Sequence, residues 1–144
     1  FWISSSTHQL CRHGQWLEVA DLRGSLPILK TEAIPHTHHF RPSRDPYSAT
    51  IDATAVRGQL TLRYVEIGDR FSPYGMSQGS KLVSDYLTDR HRSRIEKQYA
   101  MVVCDAQGIV WLVGETIAHR VAIQENTPSV LRLTLGNTEQ LEEQ

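Results

Sequence analysis

The stretch EIGDRFSPYGMSQGSKLVSDYLTDRHRSRIEK, residues 66–97, decides the fold. Gly68-Asp69 and Ser72-Pro73-Tyr74-Gly75 are turn signals, since Gly reaches positive φ and Pro presets φ in a tight turn. After them Leu82, Val83, Tyr86 and Leu87 fall on one stripe and predict an amphipathic helix over 80–90. Lys81, Ser84, Asp85 and Thr88 lie off that stripe. Arg90, His91 and Arg92 close the helix with the sign that suits the negative pole of its dipole. A second short turn is predicted over 93–98, with Ser93 as N-cap and Glu96 completing a capping box.

Outward from this stretch the chain reads as strands. Upstream, residues 7–22 predict a hairpin around His13-Gly14-Gln15, and 27–34 a strand with Pro27 at its first position. Residues 35–46, with three prolines, read as a surface loop. Residues 47–53 and 59–67 alternate: Ala49, Ile51 and Ala53 share one face, as do Leu60, Leu62 and Tyr64, which sends Arg63 to the outer face. Downstream, 99–104 and 109–113 predict a hairpin with a four-residue connection, 105–108. IVWLV is apolar on both faces and is expected to be central and covered. Strands are predicted at 120–123 and 130–135, and the acidic end, 137–144, is expected to be a flexible tail. The expected class is α+β: mostly antiparallel sheet with one main helix and a short second helical turn, in one domain over 1–136.

The composition, 40% hydrophobic and 22% charged over 144 residues, is that of a soluble globular chain. No apolar run approaches the roughly 20 residues that span a bilayer, so no membrane partner is expected. The opening FWISSS has no Met, which fits a piece of a longer polypeptide. Cys11 and Cys104 are too few for a disulfide framework and lack metal-ligand spacing; they read as reduced thiols of a cytoplasmic protein.

Catalytic signatures are missing from this sequence. It has no phosphate-binding G-x-x-x-x-G-K-[ST], no G-x-G-x-x-G, no G-x-S-x-G, no H-E-x-x-H and no C-x-x-C. Asp85 and Asp89, four apart, read as solvated acids or partners of Lys81 and Arg92. His36, His38 and His39 in PHTHHF are the one tempting metal cluster, but only Asp45 stands near them as a further ligand, so solvated loop histidines are the preferred reading. No catalytic residue, metal or cofactor is therefore expected in this chain.

Charge is unevenly spread. Residues 57–97 carry eight basic against five acidic side chains, whereas residues 98–144 carry two against six. A polyanion would meet the middle third, whose cations include Arg63 and Arg70 and where Lys81, Arg90, Arg92, Arg94 and Lys97 form the cluster that is the candidate nucleic-acid contact. Guanidinium groups match phosphate oxygens with a fixed fork. Phe71 or Tyr74 could stack on an unpaired base, although burial is the commoner fate of one of them. The bland alternative is that DRHRSRIEK is a solvated helix end held by local ion pairs. From the residues alone both readings stay open.

Residues 68–123 resemble the C-terminal domain of tRNA(Ile)-lysidine synthetase, especially its Bacteroidetes-type sequences. The resemblance is carried by the T-L-R…G-D-R-F…P…G-M run from Thr61 to Met76, by Lys81-Leu82-Val83-Ser84-Asp85-Tyr86-Leu87, and by I-V-W-L-V-G from Ile109 to Gly114, in that order. DPYSATIDA, residues 45–53, fits the lead-in, so the family-like core covers about 45–125. The resemblance implies a parent ligase that uses ATP, with Mg, to adenylate the wobble cytidine of a minor isoleucine tRNA, which free lysine then attacks. That chemistry belongs to an N-terminal domain with an S-G-G-x-D-S loop, absent from this sequence. The implied role here is non-catalytic docking of tRNA from its acceptor-stem side, beside the parent chain's N-terminal domains. Gly114-Glu115-Thr116-Ile117-Ala118-His119-Arg120 departs from the family's G-x-R-I-D-D-R, which leaves only Arg120 of that segment as a possible contact. The rival expectation is a structural or dimerisation module that does not touch RNA.

Overall fold

The computed structural model describes residues 9–12 and 15–18 as backbone, and residues 26–35 and 45–136 in full. The expected first hairpin is present: β1 (Gln9–Arg12) pairs antiparallel with β2 (Gln15–Glu18). PHTHHF beyond Pro35, and the acidic tail, lie outside the described residues.

Two sheets follow. In one, β3 (Ile28–Pro35) and β4 (Ser48–Asp52) flank the last strand, β11 (Ser129–Gly136). In the other the order is β10-β9-β8-β5, with β5 at Thr61–Tyr64, β8 at Met101–Asp105, β9 at Gly108–Leu112 and β10 at Thr116–Ile117. All pairings are antiparallel. The IVWLV run is central as expected, and Ile109, Val110, Trp111 and Leu112 are all buried. Between β5 and β8 in the chain lies the opening stretch. It forms a two-stranded ribbon, β6 (Arg70–Phe71) with β7 (Lys81–Leu82), and two helices, α1 (Val83–Asp89) and α2 (Arg94–Gln98).

One hydrophobic core joins these parts. Ile51 of β4, Leu133 of β11, Val83 and Leu87 of α1, Val102 and Val103 of β8, and Val110 and Leu112 of β9 belong to one buried cluster. Of the face read from 47–53, Ile51 is fully buried and Ala49 packs at the cluster's edge, while Ala53 leaves the strand for a 3-10 turn. Of the face read from 59–67, Leu60 and Leu62 pack at the edge, but so does Val65, which alternation puts with Arg63.

Three elements differ from expectation, each for a local reason. The main helix starts at Val83 rather than near Ser80, so Lys81 sits on a strand. Arg70 takes both the hydroxyl (2.9 Å) and the carbonyl (3.1 Å) of Ser80, while the Val83 N–H donates to the Asp69 carbonyl, which holds 81–82 extended against β6. The β8–β9 connection has two residues, Ala106 and Gln107, instead of four. The Asp105 carboxylate accepts the N–H groups of Gln107 (2.9 Å) and Gly108 (3.2 Å), and Gly108, at φ 137°, lets β9 begin at once. Finally, residues 119–121 form a 3-10 turn rather than a strand. Arg120 reaches back to Asp105 there, and Val121 is fully buried, so an extended segment would lose both contacts.

Candidate nucleic-acid interface

Most of the sequence-predicted cations gather around the bend between α1 and α2. The bend is a Schellman motif: His91 N–H donates to the Thr88 carbonyl and Arg92 N–H to the Leu87 carbonyl, both at 2.9 Å. His91 occupies its left-handed position at φ 61°, where glycine is usual. Ser93 then caps α2, its Oγ accepting from the Glu96 N–H while the Glu96 carboxylate accepts from the Ser93 N–H. That capping lowers the pKa of Glu96. The second turn and its capping box are therefore as the sequence indicated.

The side chains at this bend have unequal freedom. Arg92 makes a bidentate pair with Glu115 (2.7 and 3.0 Å), whose side chain is only 9% exposed, and this raises the Arg92 pKa. Arg90 lies 3.8 Å from the same carboxylate and 5.8 Å from the centre of the Tyr86 ring, while staying exposed. Lys97 donates to the Thr88 hydroxyl. Arg94 is exposed and meets no partner among the described residues. Arg92 also lies 3.9 Å from Glu96, one of the local pairs the bland reading foresaw.

The remaining candidates lie on the ribbon and on β5. Lys81 pairs with Asp89, one of the two partners foreseen for that acid. Arg70 is exposed and held by Ser80. Arg63 is half-buried rather than projecting freely: its guanidinium grips both oxygens of Asp69 (2.8 and 3.1 Å), which raises its pKa. Thus Arg63, Lys81 and Arg92 are closely engaged by carboxylates, and Arg90 only loosely. Arg70, Arg90, Arg94 and Lys97 have more charge to offer a partner. Of the two aromatic candidates, Phe71 is buried edge-on to Tyr86 and Tyr74 is 64% exposed.

Two organising residues escaped the sequence reading. Glu115 lies 23 positions from Arg92, and nothing local marks the pair. Asp105 is fully buried and gathers five donors: both terminal nitrogens of Arg120 and the N–H groups of Arg57, Gln107 and Gly108. Burial pushes its carboxyl up, but these hydrogen bonds outweigh it and hold the pKa at about 2. A cleft of about 640 Å³ opens beside Tyr74 and Ile117, with Asp45 and Glu115 in its lining, a sign that disfavours phosphate. Among the described residues no three potential ligands cluster as a metal site, and no helix is long and apolar enough to cross a membrane.

No protein-family model matches the chain. A tRNA(Ile)-lysidine synthase of Bacteroides thetaiotaomicron is 39% identical over 95 residues, 66% of this chain and 22% of that protein. One from Parabacteroides distasonis is 34% identical over 143 residues, 88% of this chain and 32% of that protein. The chain is a relative of the tRNA(Ile)-lysidine synthases. It spans about a fifth to a third of the length of these tRNA(Ile)-lysidine synthases. The crystal structure of a TILS C-terminal domain shares its fold, with a TM-score of 0.60 at 22% identity over 76% of this chain and 83% of the other. An N-terminal fragment of the phenylalanyl-tRNA synthetase β-subunit from Pyrococcus horikoshii shares the fold more distantly, with a TM-score of 0.54 at 14% identity, over 62% of this chain and 28% of that one.

Proposed function

We propose that this chain is the non-catalytic tRNA-docking domain of a cytoplasmic tRNA(Ile)-lysidine synthase. The parent enzyme uses ATP to attach lysine to the wobble cytidine of a minor isoleucine tRNA. ATP and its Mg belong with the S-G-G-x-D-S loop of another domain, so the chain by itself is inactive. The supporting observation is the α1–α2 bend, where Arg90, Arg94 and Lys97 hold exposed or only lightly engaged charge on a rigid backbone reversal. A backbone held in this way leaves only the side chains to be ordered when they meet phosphates. The acceptor-stem side of the tRNA is the assigned contact, with Arg70 extending the surface, while Arg63, Lys81 and Arg92 act chiefly through their internal pairs.

The test is the double reversal Arg90→Glu with Arg94→Glu. Affinity for a tRNA(Ile) transcript at low salt should fall by about tenfold or more, with a shallower salt dependence, since each lost phosphate contact removes about 0.7–0.9 from the slope. Unchanged affinity would overturn the assignment. One observation favours a protein-facing role for α2 instead: Ile95 is 67% and Tyr99 40% exposed beside Arg94. Association between copies that survives high salt, seen by light scattering, would support that dimerisation reading.

A further inference from the structure

A second cationic feature lies away from the bend. Between β6, the loop leading to β7, and the β8–β9 turn is a notch of about 270 Å³. Arg70, His119 and Arg120 line it together with Ser77, Ser80 and Gln107, and no acidic residue does. The Asp105 carboxylate, beneath Arg120, is fully buried and engaged by it. The notch is therefore cationic even though the chain as a whole is not.

Counting donors shows what it offers. Arg70 Nε donates to Ser80 Oγ and Nη2 to the Ser80 carbonyl, which leaves Nη1 and one Nη2 hydrogen unspent on an immobilised guanidinium. Arg120 spends its terminal nitrogens on Asp105, Gln107 and the Gly108 carbonyl, keeping Nε–H. His119 Nδ1 accepts from the Gly75 N–H at 3.1 Å, so its ring proton sits on Nε2 and is a further donor. Ser77 has no hydrogen-bond partner among the described residues. Unspent donors without a competing acid are what a phosphate needs. On the far side of His119 stands exposed Tyr74, its ring tilted against the imidazole with centroids 6.1 Å apart. A phosphate held in the notch would leave a neighbouring base within reach of an open aromatic face.

We propose that this notch seats one backbone phosphate of an unpaired nucleotide in the docked RNA, with the adjacent base stacked on Tyr74. Arg70 and His119 contact the phosphate, and Ser80 and Asp105 are positioning residues that hold the two guanidinium groups in place. The proposal rests on the tRNA-docking reading but uses a site separate from the bend. Free phosphate offers the same chemistry without a base, and the test separates the two sources.

The experiment follows the Arg70 side-chain N–H and Tyr74 ring signals by NMR while the protein is titrated with a short single-stranded oligoribonucleotide and, separately, with inorganic phosphate. The oligoribonucleotide should move both sets of signals and bind at least tenfold more tightly than phosphate. Arg70→Gln should weaken both ligands about five- to tenfold. Tyr74→Ala should weaken only the oligoribonucleotide. In the Arg90→Glu, Arg94→Glu protein the notch signals should still respond, so failure at the bend does not count against the notch. If phosphate binds as tightly as RNA and Tyr74→Ala changes neither, the seat serves a free anion and the proposal fails. It also fails if RNA moves bend signals but leaves Arg70 and Tyr74 unmoved.

Discussion

His91 shows how much one residue can hold. Among the described residues it is the one non-glycine at positive φ, and the chain reversal that spreads Arg90, Arg92 and Arg94 pivots on it. A side chain in this conformation costs roughly 1–2 kcal/mol, so His91→Gly is expected to stabilise the protein by up to about 1 kcal/mol once the greater freedom of an unfolded glycine is counted. His91→Val should destabilise it, and denaturant midpoints for the two variants check the sign. Glu115 is the counterweight at the same bend. Glu115→Gln should release Arg92 to a polyanion and steepen the salt dependence of tRNA binding by about 0.7–0.9; an unchanged slope would mean that Arg92 is not presented even when freed. Asp105 adds a pH signature. Its pKa in the folded protein, about 2, lies below the ordinary 3.8, so the stability it confers is complete above about pH 4 and is lost as pH falls toward 2. Allowing for solvent at partly exposed Arg120, the loss is on the order of 1–2 kcal/mol. Acid titration of Asp105→Asn, followed by circular dichroism, should lack that component.

At the scale of elements, the capping box predicts that Ser93→Ala loosens α2 by about 0.5–1 kcal/mol, seen as faster amide exchange across 94–98 while the strands keep their protection. That motif was legible because all its information lies within four consecutive residues. The apolar stripe of α1, the central burial of β9 and the alternating faces of β4 were legible for a similar reason: a period survives whatever surrounds it. Boundaries were not legible where a distant group decides them. Arg70, ten residues from Ser80, cancels the first turn of the expected helix. Asp105 shortens one turn and, with Arg120, replaces an expected strand by a 3-10 turn. The candidate site divides along the same line. The sequence located the cations and foresaw the Lys81–Asp89 pair, but not Asp69 and Glu115, which become partners of Arg63, Arg90 and Arg92 only through folding.

Across the whole molecule, both sheets and α1 draw on one buried cluster, so the described part should lose its structure in one step. Leu112, fully buried on central β9, tests this: Leu112→Ala should cost about 2–5 kcal/mol and shift the ellipticity and Trp fluorescence transitions together. Separate transitions would mean that the sheets are independent. The same cluster encloses the thiol of Cys104, on β8 opposite Thr61 of β5, and burial pushes that thiol's pKa up. An alkylating reagent requires thiolate and access, and the closed sheet supplies neither. In a Cys11→Ser background, Cys104 thus becomes a clock. Its labelling rate counts how often β5 parts from β8, and a tRNA ligand that braces this half of the molecule should slow the count in proportion to its occupancy.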